Sequence, residues 1–237
     1  KIPEVLVVFG GEILRGNCVT KESSTAFDAF KSPNGGLIGK IGVHIDIYKD
    51  KLQKNTVTNM PSNLQSKYIS KLSTTGWRVD DWNSNIKIEV ITLVPQNNAP
   101  ILNAAIDLNP DGIILRTYGI GNAPIGDKEF IKALKRAISK NIIVINSTQC
   151  LHGGVEMQYY KTGKILQQLG VIGAKDMTHS SSFTKLFYLL QILGKKNIDI
   201  IKNLYQVNLA GEITINQYDV NVHNYLINYF NLYQELG

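Results

Sequence analysis

From Ile86 onward the chain alternates β-rich apolar runs with helical segments, and that rhythm restricts the fold more than any other property of the sequence. Residues 86–94 read as a strand, 99–108 as helix, 112–118 as strand, 128–139 as helix and 142–146 as strand. Further helices are expected near 161–169, 181–193 and 197–209. Within 128–139, Phe130, Ile131, Leu134, Ala137 and Ile138 recur at the i, i+3, i+4, i+7 spacing of one buried stripe. Strands separated by helices pair in parallel through right-handed crossovers. The expected class is α/β. No internal repeat interrupts it.

The residues before Ile86 read differently. Two apolar runs, 5–9 and 12–15, flank Gly10-Gly11 and predict a β-hairpin. Residues 16–36 read as a structured loop anchored by Phe27 and Phe30. Over 38–47, Ile41, Val43, Ile45 and Ile47 alternate as in a single half-buried strand. Residues 49–85 are polar and are the linker candidate, with Trp77 and Trp82 expected to pack part of it down. A hairpin and one strand bury little alone, and their open edge invites association. These strands are therefore expected to complete a larger sheet, and the chain to be poorly soluble. The Tyr- and Asn-rich segment 218–233 is expected to be a terminal packing segment.

Composition bounds the function. With 43% hydrophobic and 19% charged residues over 237, the composition is that of a globular protein of the soluble class and not of a disordered chain. Its formal charge is +6, but the lysines are scattered, with short clusters only at 132–136 and 195–196. There is no basic stripe interleaved with aromatics, so no nucleic-acid partner is expected. Cys18 and Cys150 are too few for a disulfide framework and lie in no metal-ligand spacing. Neither metal nor cofactor is expected, and a reducing cytoplasm is the default. No apolar run reaches the ~18 residues that span a bilayer, so no membrane role is expected. Residues 5–9 are too short for a leader core, and without an initiating Met the chain is expected to begin inside something longer.

The chemistry concentrates in a few words. The run Ile113 to Leu115 ends in Arg116-Thr117-Tyr118-Gly119-Ile120-Gly121-Asn122-Ala123-Pro124. In an open α/β sheet, polar groups just past a strand's carboxyl end sit where ligands bind. Other words are Arg15-Gly16-Asn17-Cys18-Val19-Thr20-Lys21, the stretch from Asp28 to Asn34, and Asn146-Ser147-Thr148-Gln149-Cys150 with Gly153-Gly154. Gly170-Val171-Ile172 then leads to Asp176-Met177-Thr178 and Lys185-Leu186. In this order they resemble the carboxyl-terminal part of bacterial type I L-asparaginases. The resemblance covers nearly the whole chain and is weakest over 49–85 and from Tyr218. Amidotransferase subunits acting on glutamyl-tRNA share the Gly-Val-Ile…Asp-Met core, but the Gly121-Asn122-Ala123-Pro124 turn fits asparaginases better.

The resemblance implies an incomplete amino-terminal α/β remnant (hairpin and strand) followed by a small parallel-sheet α/β domain. It divides the chain into 1–60, the end of the amino-terminal domain; 61–85, a linker; and 86–237, the carboxyl-terminal domain. Roughly the first 140 residues of such a protein have no counterpart here, judged against ordinary domain sizes. The family's Thr-Gly-Gly-Thr and Thr-Asp-Thr words do not occur in the sequence.

Lys21 matches the family's catalytic Lys, whose ammonium beside a hydroxyl helps relay the nucleophile's proton; it also reads as an ordinary loop lysine. Asn122 matches a substrate-binding residue that reaches a neighbouring subunit's site, and it also reads as a helix N-cap. Thr20, Arg116 and Cys150 match an allosteric asparagine site, in which Arg offers a fork for the α-carboxylate. Cys150 reads equally as a buried apolar cysteine. Thr117 stands where the family usually has Ser, and His179 where an acidic residue is common. His152 and His179 read as loop or helix-start residues, and Asp176 with Thr178 as a cap for the following helix.

The implied activity is that of an amidohydrolase converting L-asparagine and water to L-aspartate and ammonia, here without its nucleophile and so inactive alone. Implied partners are L-asparagine and a homodimer or dimer of dimers; three sources of the missing half stand open, a longer sequence of which this is a truncated part, a split or decaying gene, and a separate chain. Two alternatives stand: a non-catalytic asparagine-sensing or interaction module, and a subunit of a glutamyl-tRNA amidotransferase.

Overall fold

The computed structural model describes residue 2, residues 4–53 and residues 83–214. The chain forms two compact units, Lys1–Trp82 with Val207–Gly237, and Asn83–Gln206. The expectations for Trp77, Trp82 and segment 218–233 lie outside the described residues, as does most of the linker candidate.

In the first unit, β1 (Leu6–Phe9) and β2 (Glu12–Arg15) pair antiparallel, with Leu6 opposite Arg15 and Phe9 opposite Glu12. Gly10 and Gly11 take φ of 57° and 77°. Two successive positive φ values make the two-residue turn that glycine enters without strain and that matches strand twist. Two short strands follow, β3 (Thr20–Lys21) and β4 (Phe30–Lys31), paired with each other. Residues 38–47 do not form the single strand that their alternation predicts. They split into β5 (Leu37–Ile41) and β6 (Ile45–Ile47), with Ile41 opposite Ile45 and the Gly42 N–H donating to His44 O at 2.9 Å. Both arms of a hairpin carry period two, so alternation alone does not reveal the turn. Val43, at its tip, is 97% exposed. The sheet order is β1-β2-β5-β6.

Residues 207–213 belong with this unit. Asn17 Nδ2 donates to Ala210 O at 2.8 Å, and Cys18 Sγ to Gly211 O at 3.2 Å. Arg15 is buried, ion-paired with Glu4, and donates to Lys51 O at 2.7 Å. Burial opposes its charge, but the hydrogen bond and attraction to Glu4 leave its pKa raised.

The second unit runs β7 (Ile88–Thr92), α1 (Ala99–Asp107), β8 (Gly112–Thr117), α2 (Lys128–Ser139), β9 (Ile143–Thr148), α3 (Lys161–Gln168), β10 (Ile172–Gly173), α4 (His179–Leu193) and α5 (Ile198–Tyr205). Its strands are all parallel, in the order β10-β9-β8-β7. Ile113, Leu115 and Val144 pack with Leu102 and Ile106 of α1 and with Phe130, Leu134 and Ala137 of α2 in one cluster. Helix α2 has the bounds that its apolar stripe predicts. Asp127 caps it, accepting from the Glu129 and Phe130 N–H groups. Thr178 caps α4 by accepting from Ser181 N. The helix expected over 197–209 stops at Tyr205, because the chain after Gln206 joins the first unit. Among the described residues, no helix is long and apolar enough to cross a membrane.

Candidate functional site

Parallel strands end together. Arg116 and Thr117 of β8 stand opposite Ser147 and Thr148 of β9 at the carboxyl edge of the sheet. Just beyond, the chain folds back: the Tyr118 N–H donates to Asn122 O at 2.9 Å, and the Asn122 N–H returns to Tyr118 O at 2.8 Å. Gly121 takes φ of 108°, and a Cβ there would lie 2.7 Å from Val155 Cγ1 and 3.0 Å from Asn146 Nδ2. Both the backbone angle and the crowding demand glycine.

Strand β9 holds this turn in place. Asn146 Nδ2 donates to Gly121 O at 2.9 Å, while its Oδ1 accepts from Thr117 Oγ1 at 2.6 Å. Thr148 Oγ1 donates to Gly119 O, and the Cys150 N–H donates to Thr148 Oγ1 at 3.0 Å. Gln149 Nε2 donates to both Leu93 O and Arg116 O at 2.9 Å, tying the ends of β7 and β8 together. Thr117 and Asn146 are fully buried. A satisfied buried network of this kind fixes one conformation, since breaking any member strands another polar group.

Asn122 does not cap α2; Asp127 does. The half-buried Asn122 instead accepts from Thr162 Oγ1 of α3 through its Oδ1. That bond fixes the amide's orientation and leaves Nδ2 as the outward donor, suited to a carboxylate. Arg116 is half-buried, and its Nε is buried without a hydrogen-bond partner among the described residues. His179 Nδ1, at the start of α4, is in the same condition. Burial first, and the positive charge of Arg116 second, hold the pKa of His179 below its usual value. Cys150 is exposed, not the buried apolar cysteine of the alternative reading.

The remaining two residues singled out in sequence lie in the first unit. Thr20 is half-buried and stands opposite Lys31. Lys21 is exposed, with its Nζ 5.7 Å from the centre of the Phe30 ring, which itself packs edge-on against Phe9 at 5.1 Å. The structure thus brings Arg116, Asn122 and Cys150 to one sheet edge in the second unit. Sequence reasoning assigns no role to Asn146, Thr148 or Gln149, although they stand in one of the family's words. It misses Thr162 altogether, because a threonine in the first turn of a helix carries no local mark.

Comparison with known proteins agrees with this architecture. Residues 87–204 match the family model for the Glutaminase/Asparaginase C-terminal domain, and residues 1–53 match that for Asparaginase, N-terminal. L-asparaginase 1 of Escherichia coli strain K12 is 33% identical over 213 residues, which cover 90% of this chain and 57% of that protein. A glutamyl-tRNA(Gln) amidotransferase component of Pyrococcus furiosus is 29% identical over 221 residues, covering 89% of this chain and 45% of the relative. The crystal structure of L-asparaginase I from Vibrio cholerae superposes with a TM-score of 0.72 at 31% identity, covering 90% of this chain and 58% of that one. The chain spans little more than half the length of these asparaginases. It is an open-sheet α/β protein with a polar carboxyl edge. It belongs to the glutaminase/asparaginase family.

Proposed function

We propose that this chain is the carboxyl-terminal portion of a type I L-asparaginase-like amidohydrolase, and that 1–237 alone does not turn over asparagine. The observation that carries this is a pairing. The family's carboxyl words follow one another in order along the chain, those at 116–124 and 146–150 forming a preorganised sheet edge, while Thr-Gly-Gly-Thr and Thr-Asp-Thr occur nowhere in the 237 residues. In this reading Lys21 is the proton-relay member of a Thr-Asp-Lys set. Asn122 presents Nδ2 to the substrate carboxylate of a neighbouring copy, and Thr20, Arg116 and Cys150 form a regulatory asparagine site. The partners are L-asparagine and further copies of the chain. The setting is cytoplasmic. Family boundaries at 1–60, 61–85 and 86–237 go with it, although residues 207–213 of the last segment pack within the first unit.

A relay lysine without a nucleophile supplies little, because losing the nucleophile of a catalytic set costs many orders of magnitude in rate. Purified 1–237 is expected to release no ammonia from asparagine. Turnover that survives repurification and disappears in Lys21→Ala would overturn this. A second reading, a component of a glutamyl-tRNA amidotransferase, draws on the archaeal amidotransferase relatives. The Asn122 turn, ordered by Asn146, Thr148 and Thr162, favours the first.

A further inference from the structure

Two buried polar atoms of the second unit lack a hydrogen-bond partner among the described residues, Arg116 Nε and His179 Nδ1. Such atoms are rare, because a buried donor or acceptor without a partner forfeits its hydration.

The topology brings both to one level of the fold. Along β8, Ile113 and Leu115 turn toward the cluster under α1 and α2. By strand alternation, Gly112, Ile114 and Arg116 turn to the other face. Helix α4 covers that face: a Cβ on Gly112 would lie 2.7 Å from Leu186 Cδ2. Because α4 follows β10 after a short connection, it runs back antiparallel to the strands. From Leu186 to His179 is about 10 Å of helix, and from Gly112 to Arg116 about 13 Å of strand. The first residue of α4 therefore returns to the level of Arg116.

Electrostatics agrees. Among the described residues, Arg116 is the charged group whose field reaches His179. No acidic side chain among the described residues pairs with Arg116. A guanidinium edge and an imidazole nitrogen, both buried and unanswered, are complementary to one small anion.

We infer that Arg116 and His179 together bind a single carboxylate, with the imidazole donating beside the guanidinium, so that its affinity rises as pH falls. This rests on the reading of Arg116 as the anchor of a regulatory asparagine. It adds a second binding residue to that anchor and a proton to the equilibrium. Free of ligand, His179 resists protonation beside Arg116. A bound carboxylate cancels that repulsion and draws a proton onto the imidazole, and linkage requires tighter binding at lower pH.

The test is calorimetric titration of the purified chain with L-asparagine at several pH values. L-asparagine amide, which lacks the carboxylate, is run in parallel. The wild type is expected to bind asparagine about tenfold more tightly at about pH 5.5 than at about pH 8, one unit of pKa rise on binding being worth tenfold. His179→Gln keeps a donor but cannot titrate, and it is expected to bind with no pH dependence. Arg116→Gln is expected to lose binding throughout, and asparagine amide not to bind. A slope that persists in His179→Gln, or a flat wild type, overturns the role of His179 and leaves Arg116 as the anchor. No binding by wild type at any pH overturns the anchor and the inference together.

Discussion

At the scale of single residues, the carboxyl edge of the parallel sheet is built from satisfied groups around a few unsatisfied ones. Asn146 uses both ends of its amide, binding Thr117 Oγ1 and Gly121 O, so the glycine turn is anchored from a neighbouring strand. His179 is the contrast. Burial and Arg116 hold its pKa below the ordinary histidine value. The unfolded chain then binds the proton more readily than the folded one. This contribution to stability is complete above about pH 6.5, the ordinary histidine pKa, and is lost as pH falls. The ligand-free chain is expected to show a falling melting temperature between about pH 7 and pH 5, and His179→Gln a shallower decline. Thermal melts across that range check it. Equal slopes in both proteins would remove His179 from the account.

At the scale of elements, local pattern and observed structure agree best where one face is fully committed. Helix α2 begins and ends where its stripe predicts because Phe130, Leu134 and Ala137 are all buried in one cluster. The Gly10-Gly11 turn is legible because glycine, lacking a Cβ, enters positive φ without a steric clash. Residues 38–47 are not, since a turn at 42–44 preserves the alternation on both sides. Capping is legible for Thr178 but misplaced at Asn122. The cap of α2 is Asp127, which takes two N–H groups at once. Asp127→Ala is expected to destabilise the second unit by about 1 kcal/mol, the usual worth of an N-cap. Urea unfolding followed by circular dichroism measures it. A change near zero would mean that packing alone sets the start of the helix.

At the scale of the whole molecule, burial is uneven. The second unit encloses a continuous core between its sheet and helices, with Phe130, Leu134, Ile113 and Val144 essentially inaccessible. Among the described residues, the first unit leaves Val5 at 82%, Val8 at 54% and Phe9 at 41% exposure, and β1 ends its sheet. An unpaired apolar edge strand is a template for association. The purified chain is expected to scatter light as oligomers, and Val8→Lys, which places a charge on that edge, to reduce the association. A monodisperse wild-type monomer would count against this.

The sequence alone determined the alternation of strands and helices from Ile86, the glycine hairpin, the stripe of α2 and the order of words that carries the family. These are local properties, written in spacings of two to four residues and in the few residues that tolerate positive φ. Only the tertiary structure decided that residues 207–213 return to Arg15 and Cys18, that Thr162 orients Asn122, that Lys21 and Cys150 are exposed, and that His179 arrives at the level of Arg116. Each of these joins residues far apart in the chain or records what covers them. Periodicity carries no information about such partners, because it shows which face is buried and not what it is buried against.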